Sequence, residues 1–381
     1  MSHISPERSA WTEIDLGSLR NNFELIRHIV GPDTAVMPVI KADAYGHGAP
    51  RVAQVLTKAG AAAFAVVTLA ELRQLRQNQI SLPVLTLSYV PPRAYPELLA
   101  LDGMATVYSL EQAGALSAIA VSLGKQARVH LKVDTGLTRL GFEPTEAAAE
   151  QILALSRLPN LEINGLFSHF ADSDDSDKTY SRQQLTAFNA FVRELEARGL
   201  AIPWKHISNS AAIANIPEAC WNMVRPGILL HGCYASVDVP RIAGVRPVMS
   251  VKAEIVRLRD LPKGGSVSYN CTWRAGRLSR IATLPLGYAD GVPRLLANQG
   301  EALIAGRRAP IVGRVCMDHF MVDVTDIASE TQVSLGDEAV FIGYQGHEHI
   351  TADEIASMTG TINYEIFCHL GLRLPRIYIG E

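Results

Sequence analysis

The sequence predicts an α/β chain in two parts, an N-terminal (β/α)8 TIM-like barrel followed by a mostly-β C-terminal domain. Three observations carry that expectation. Short apolar runs alternate with helical patterns through roughly the first 230 residues. Polar residues able to do chemistry stand at the carboxyl ends of several of these runs. Beyond residue 238 the helical period gives way to closely spaced strands and glycine turns.

Eight runs read as barrel strands: 35–41, 63–68, 84–88, 105–108, 127–133, 163–168, 205–208 and 228–231. Helical patterns fill most of the gaps. The stretch 180–198, for example, puts Leu185, Phe188, Phe191 and Leu195 on one face. Repeated βα units with apolar strands imply a parallel sheet covered on both sides. Eight such units in about 200 residues favour a closed barrel over an open doubly wound sheet. Pro38 cannot donate to a ladder, so it must lie near the start of the hydrogen-bonded part of its strand. In the second part, strands are expected at 251–258, 265–269, 280–285, 301–304, 309–315, 319–324 and 338–342, with one helix within 351–358. Thr351 and Glu354 have capping-box spacing there. The expected domains are 11–238 and 239–381, and residues 1–10 can pack with the second.

With 381 residues, 48% of them hydrophobic, the chain can fill two cores. A net charge of -3 gives no basic footprint for nucleic acid. No apolar run reaches membrane-span length, and the N-terminus lacks a signal-peptide core, so a cytoplasmic location is expected. Cys220, Cys233, Cys271, Cys316 and Cys368 are odd in number and scattered, without zinc-ligand spacing. Free thiols and no metal are expected.

The first candidate site lies in Val39-Ile40-Lys41-Ala42-Asp43-Ala44-Tyr45-Gly46-His47-Gly48. A lysine at a strand's carboxyl end can shed its proton and form a Schiff base with a carbonyl; the alternative is a snorkelling side chain. After the fifth run, Lys132-Val133-Asp134-Thr135-Gly136-Leu137-Thr138-Arg139 offers an arginine able to grip a carboxylate bidentately, or simply a surface arginine. His169 ends the sixth run, and the aspartates behind it read as a solvated loop, since no glycine turn and distal glutamate complete a calcium loop. Asn209-Ser210 opens a helix, where hydroxyls and free N–H groups suit a phosphate, or an ordinary cap. Arg225-Pro226-Gly227-Ile228 precedes the eighth run, and phosphate sites near the last two strands are a habit of this barrel. The second part carries Val267-Ser268-Tyr269-Asn270, Leu286-Gly287-Tyr288-Ala289-Asp290, Val315-Cys316-Met317-Asp318 and Asn363-Tyr364-Glu365.

Taken in series, these strings resemble those of the alanine racemases, in the same order, over nearly the whole chain. The resemblance implies pyridoxal 5'-phosphate (PLP) as cofactor, carried on Lys41, which also serves as one of two catalytic bases. Tyr269 is implied as the other. Tyr45, His169, Asn209, Ser210, Arg225, Gly227, Ile228 and Tyr364 are implied to bind the cofactor; Arg225 would face its ring nitrogen and His169 would bond to Arg225. Arg139, Met317 and Tyr288 are implied to meet an amino-acid substrate, with Lys132 carbamylated and bracing Arg139. It further implies a homodimer in which Tyr269, Tyr288 and Met317 reach the site from the partner subunit, and D-alanine made for peptidoglycan. Three positions depart from the usual pattern: Thr138, His231 (where tyrosine is common) and Asn270 (where glycine is usual). Little consequence is expected from Thr138, and Asn270 still tolerates a positive φ. A broad-specificity or serine-preferring racemase shares these residues. A PLP-dependent decarboxylase of the same architecture and a non-catalytic PLP-binding protein are further alternatives. The complete second-domain strings weigh against the decarboxylase, and the long stretch of chain beyond the barrel weighs against the non-catalytic protein.

Overall fold

The structure, a computed structural model, describes residues 8–380. The chain forms two compact units. One holds Leu19–Ala44 and Gly48–Arg246; the other holds Tyr45–His47 and the chain from Pro247 onward, together with the early strand Ala10–Asp15.

The first unit is the parallel barrel. Six strands form one ladder: Phe64–Val66, Val84–Thr86, Gly103–Val107, Ala127–Lys132, Leu161–Phe167 and Trp204–His206. Ala35–Val36 and Met223–Val224 form a second parallel pair. A few backbone bonds join the two ladders. Val39 bridges Ala65, and the Arg225 N–H donates to the Ser208 carbonyl at 3.0 Å. Pro38 explains the break on one side: it offers only its carbonyl, to Ala65, while Met37 and Val39 donate across to Val224 and Pro226. Met37, Ile40, Phe64, Leu85, Val129, Leu131 and Leu166 are buried in this unit, alongside the polar side chains of His130, Lys132, His206 and Arg225. Helix Thr179–Ala197 covers the outside through Leu185, Phe188, Phe191 and Leu195, the face its period marked out.

One strand is elsewhere than expected. The run 228–231 is a turn of 3-10 helix, Ile228–His231, and the last barrel strand is Met223–Val224. Gly227 (φ -125, ψ -91) turns the chain away, and Gly232 ends the turn in the left-handed region. A short buried apolar run looks the same in either conformation.

In the second unit, Ala10–Asp15 pairs antiparallel with Met249–Glu254 and parallel with Arg376–Ile379 inside a seven-stranded sheet. A three-stranded sheet holds Arg257–Leu261, Ser279–Leu284 and Phe320–Asp323. Helix Ala352–Thr359 starts as expected, with the Thr351 hydroxyl accepting the Glu354 N–H. Two further helices, the single turn Thr325–Ala328 and Asn363–His369, were not expected from the sequence pattern. Residues 1–7, which the expectation for 1–10 includes, lie outside the described residues.

Candidate active site

Lys41 stands at the end of an extended lead-in, and the chain then does something uncommon. Ala42, Asp43, Ala44 and Tyr45 all have φ between 51 and 54. For L-residues this left-handed turn costs about 1–2 kcal/mol each, so it needs support. Within the barrel unit the Ala42 N–H donates to Glu71 Oε1 at 2.7 Å, and the Ala44 N–H to the Ile40 carbonyl at 3.0 Å. The Asp43 carbonyl accepts from Gly48 and its carboxylate from Ala49. Glu71 Oε2 also accepts the N–H groups of Val67 and Thr68 at 2.8 Å each. One carboxylate thus ties the lysine loop to the next strand end. Sequence reasoning missed Glu71, although Thr68-x-x-Glu71 is a capping box.

Arg225 is buried at 3% exposure and is surrounded by acceptors that carry no charge. It donates to His206 Nδ1 at 2.5 Å, to the carbonyls of Ser168 (2.8 Å) and Ile207 (3.2 Å), and to His169 Nδ1 at 3.3 Å. Burial pushes its pKa down to about 9, which still leaves it a cation at neutral pH. His169 is held well below the usual histidine range by burial first, then by Arg225, Lys132, Arg139 and Lys41. His206 is lowered likewise by burial, Arg225, His130 and Lys132. Both rings are therefore neutral. His206 stacks on Phe167, whose ring also lies 4.7 Å from Lys132 Nζ. Lys132 is itself buried, and burial with Arg225 and Arg139 drives its amine well below the usual lysine value, with Asp134 opposing.

Arg139 is exposed, on a loop organised by Asp134. Burial opposes ionisation of that carboxyl, but three backbone donors, Gly136, Thr138 and Arg139, outweigh it and hold the pKa below the ordinary range. Thr138 sits at φ 56, a strained position for a β-branched residue. The departure at Thr138 thus has a backbone consequence that its place in the string did not suggest.

The two strings assigned to phosphate meet. Ser210 Oγ accepts the N–H of Gly227 at 2.8 Å and of Leu229 at 3.2 Å, which sets Ile228 beside it. Asn209 caps helix Ser210–Asn215: its side-chain oxygen accepts the Ala212 N–H and the Ser173 hydroxyl. Its side chain serves the cap.

In the second unit, Tyr45 packs edge-on against Tyr364, ring centroids 5.9 Å apart. Burial, then Tyr364 and Cys368, raise the Tyr45 phenol pKa. Tyr269, Tyr288 and Met317 stand on loops fastened to one another. The N–H groups of Tyr288 and Ala289 donate to the carbonyls of Cys316 and Met317 at 3.0 Å. A Cβ on Gly287 would collide with the Met317 carbonyl oxygen, so only glycine fits. Ser268 Oγ donates to the Arg314 carbonyl at 2.6 Å. Asn270 adopts φ 60, the conformation its side chain tolerates. The three side chains themselves are exposed. In the barrel unit Lys41, Lys132, Arg139 and Arg225 all bear on His169, and in the second unit the loops carrying Tyr269, Tyr288 and Met317 are tied together.

Two family models match the chain: "Alanine racemase, N-terminal domain" over residues 14–235 and "Alanine racemase, C-terminal domain" over 248–378. An alanine racemase of Methanococcus maripaludis is 45% identical over 97% of this chain and 98% of its own. Among solved structures, alanine racemase of Clostridium difficile superposes with a TM-score of 0.92 at 40% identity, covering 97% of this chain and 96% of that one. Alanine racemase of Bacillus anthracis with bound L-Ala-P gives 0.90 at 34% identity, covering 98% and 96%.

Proposed function

Since the chain belongs to the alanine racemase family, we propose that it interconverts L-alanine and D-alanine with PLP as cofactor, using Lys41 and Tyr269 as opposed bases. The observation that carries the reading is Arg225, a buried cation satisfied by neutral imidazoles and carbonyls and, among the described residues, by no carboxylate. Facing a pyridine nitrogen, such a group disfavours that nitrogen's protonation, because two cations would meet. An enzyme that must return its proton, and do nothing else, benefits from that restraint.

The residues present fit the cofactor. A lysine on a braced loop, a fixed guanidinium, and a serine hydroxyl beside the Gly227–Ile228 backbone supply an amine, a ring partner and an anion cradle. When bound, PLP draws off the electron pair left on the α-carbon. Lys41 Nζ holds the cofactor and moves the proton on one face of that carbon. The phenol of Tyr269 from the partner subunit moves it on the other. A phenol needs cationic neighbours to act as a base near neutrality. The Arg139 guanidinium and the Met317 N–H orient the substrate carboxylate, with Tyr288 at the entry and Tyr45 and Tyr364 by the cofactor. The lowered pKa of Lys132 makes its amine easier to deprotonate, which favours reaction with CO2, and the carbamate would brace Arg139. A homodimer with shared sites, a cytoplasmic location and supply of D-alanine to peptidoglycan complete the reading.

Polarimetry tests it. With added PLP, L-alanine and D-alanine solutions should both decay to zero rotation without loss of amino acid, and L-serine and L-lysine should turn over more slowly. Release of CO2 with matching loss of the amino acid would overturn the reading in favour of decarboxylation.

A further inference from the structure

Below Arg225 the polar chain continues to a place the reaction does not explain. His206 Nε2 lies 2.8 Å from His130 Nδ1, and His130, 1% exposed, has no hydrogen-bond partner for Nε2 among the described residues. That ring lines a cavity of about 110 Å³ at the amino ends of the barrel strands, with Met37, Met104, Met223, Arg128 and Asn164. Asn164 Oδ1 is likewise buried without a hydrogen-bond partner among them. Gly165 marks how tightly His130 is seated: a Cβ there would fall 2.5 Å from its Nδ1.

Hydrogen-bond logic fixes the protons. Arg225 can only donate, so His206 Nδ1 accepts. The His206 proton is then on Nε2 and must be donated to His130 Nδ1. The His130 proton is then on Nε2 and is presented to the cavity, where it needs an acceptor. The cavity has room for water, and Asn164 Oδ1 and Arg128 offer further partners. We propose that the cavity is a water-binding site which accepts the His130 Nε2–H and so keeps His130 Nδ1 as the acceptor for His206, seating the ring that accepts from Arg225 and making His130 a positioning residue for the racemase site. The water site stands on this geometry alone; the effect on turnover rests also on Arg225 serving the cofactor ring as proposed above.

The test uses the holoenzyme labelled with 15N-histidine. Wild type should show two neutral Nε2–H imidazoles, assigned by single substitutions of His130 and His206. In His130→Leu, His206 stays protonated on Nε2 but loses its acceptor, and its Nε2–H signal should shift upfield. kcat should fall roughly 10-fold with KM within about twofold, the expected cost of about one unmade buried hydrogen bond. His130→Asn, whose amide oxygen can stand in for Nδ1 as acceptor, should restore both readouts. An Nδ1–H form at His206 in wild type, or an unaltered His206 signal in His130→Leu, overturns the proposal. If His130→Leu does not fold, neutron diffraction from wild-type crystals decides: deuterium on both Nε2 atoms and a cavity water support it, and a dry cavity overturns it. A wild-type enzyme that fails to racemise alanine, yet shows both Nε2–H forms, removes the functional reading and leaves the water site standing.

Discussion

Arg225 and Tyr269 meet opposite surroundings. The arginine is 3% exposed and donates to four different residues; the tyrosine is 67% exposed, and what the structure fixes is the backbone that carries it. In the barrel, the charge states of the site are set by burial and by neighbours already in place. In the strand-rich unit, Ser268, Gly287 and the carbonyls of 314–317 hold the loops, while the working side chains project outward. Substitutions in the first region should therefore change stability and turnover together. Those in the second should change turnover alone.

The largest effect is expected at Lys41, where nothing else can replace the amine. Lys41→Ala should cut turnover more than about 10⁴-fold and remove the visible absorbance of lysine-bound cofactor. A variant that keeps that band would defeat the assignment. Tyr269→Phe should slow both directions by about 10²–10⁴-fold and leave the thermal midpoint unmoved, as an exposed phenol predicts. Arg225→Ala should instead lower unfolding free energy by about 2–4 kcal/mol, since buried acceptors lose their donor. Equal stability losses in the two variants, measured by urea titration, would erase the contrast.

The exposed loops also set up a mixing experiment. Lys41→Ala and Tyr269→Ala chains, each inactive, should recover about one quarter of wild-type activity after random reassociation, because half the dimers then hold one intact site of two. Mixed dimers without recovery would show that each chain completes its own site.

Acid probes the buried side. His130 falls from the ordinary histidine range to about 3, chiefly through burial and then Arg225 and Arg128. The unfolded chain takes that proton first, so the stability it confers is complete above about pH 6.5 and is lost as pH falls toward the folded value. From pH 7 to 5 His130 alone should account for about 2 kcal/mol. His169 and His206 shift in the same direction. A flat unfolding free energy over that range would contradict neutral burial. The smallest effect is expected at Glu71→Gln, which keeps the shape but weakens the charge-assisted bonds to Ala42, Val67 and Thr68: about 1–2 kcal/mol by urea titration, with slower turnover.

Barrel repeats were legible because period and spacing are local properties of sequence. The eighth strand was not: Ile228–His231 is four buried residues long, too short for periodicity to separate strand from helix, and only Gly227's backbone decides it. Ala10–Asp15 escaped because its partners, Met249–Glu254 and Arg376–Ile379, lie more than 230 residues away. Candidates with strings around them, such as Lys41 and Arg139, could be named from those strings. His130 and His206 could not, since their role comes from a contact between two strands, and Glu71 was hidden because a capping residue can also be a brace.

The turn at residues 42–45 has a stereochemical consequence. Its φ values belong to the mirror-image half of backbone space, where a D-residue sits at ease. Ala42 and Ala44 thus hold, as L-alanines, the backbone posture natural to their own enantiomer. A semisynthetic chain carrying D-alanine at both positions should be relieved of strain at the base of Lys41, whereas glycine, equally at home there, would loosen the unfolded chain as well.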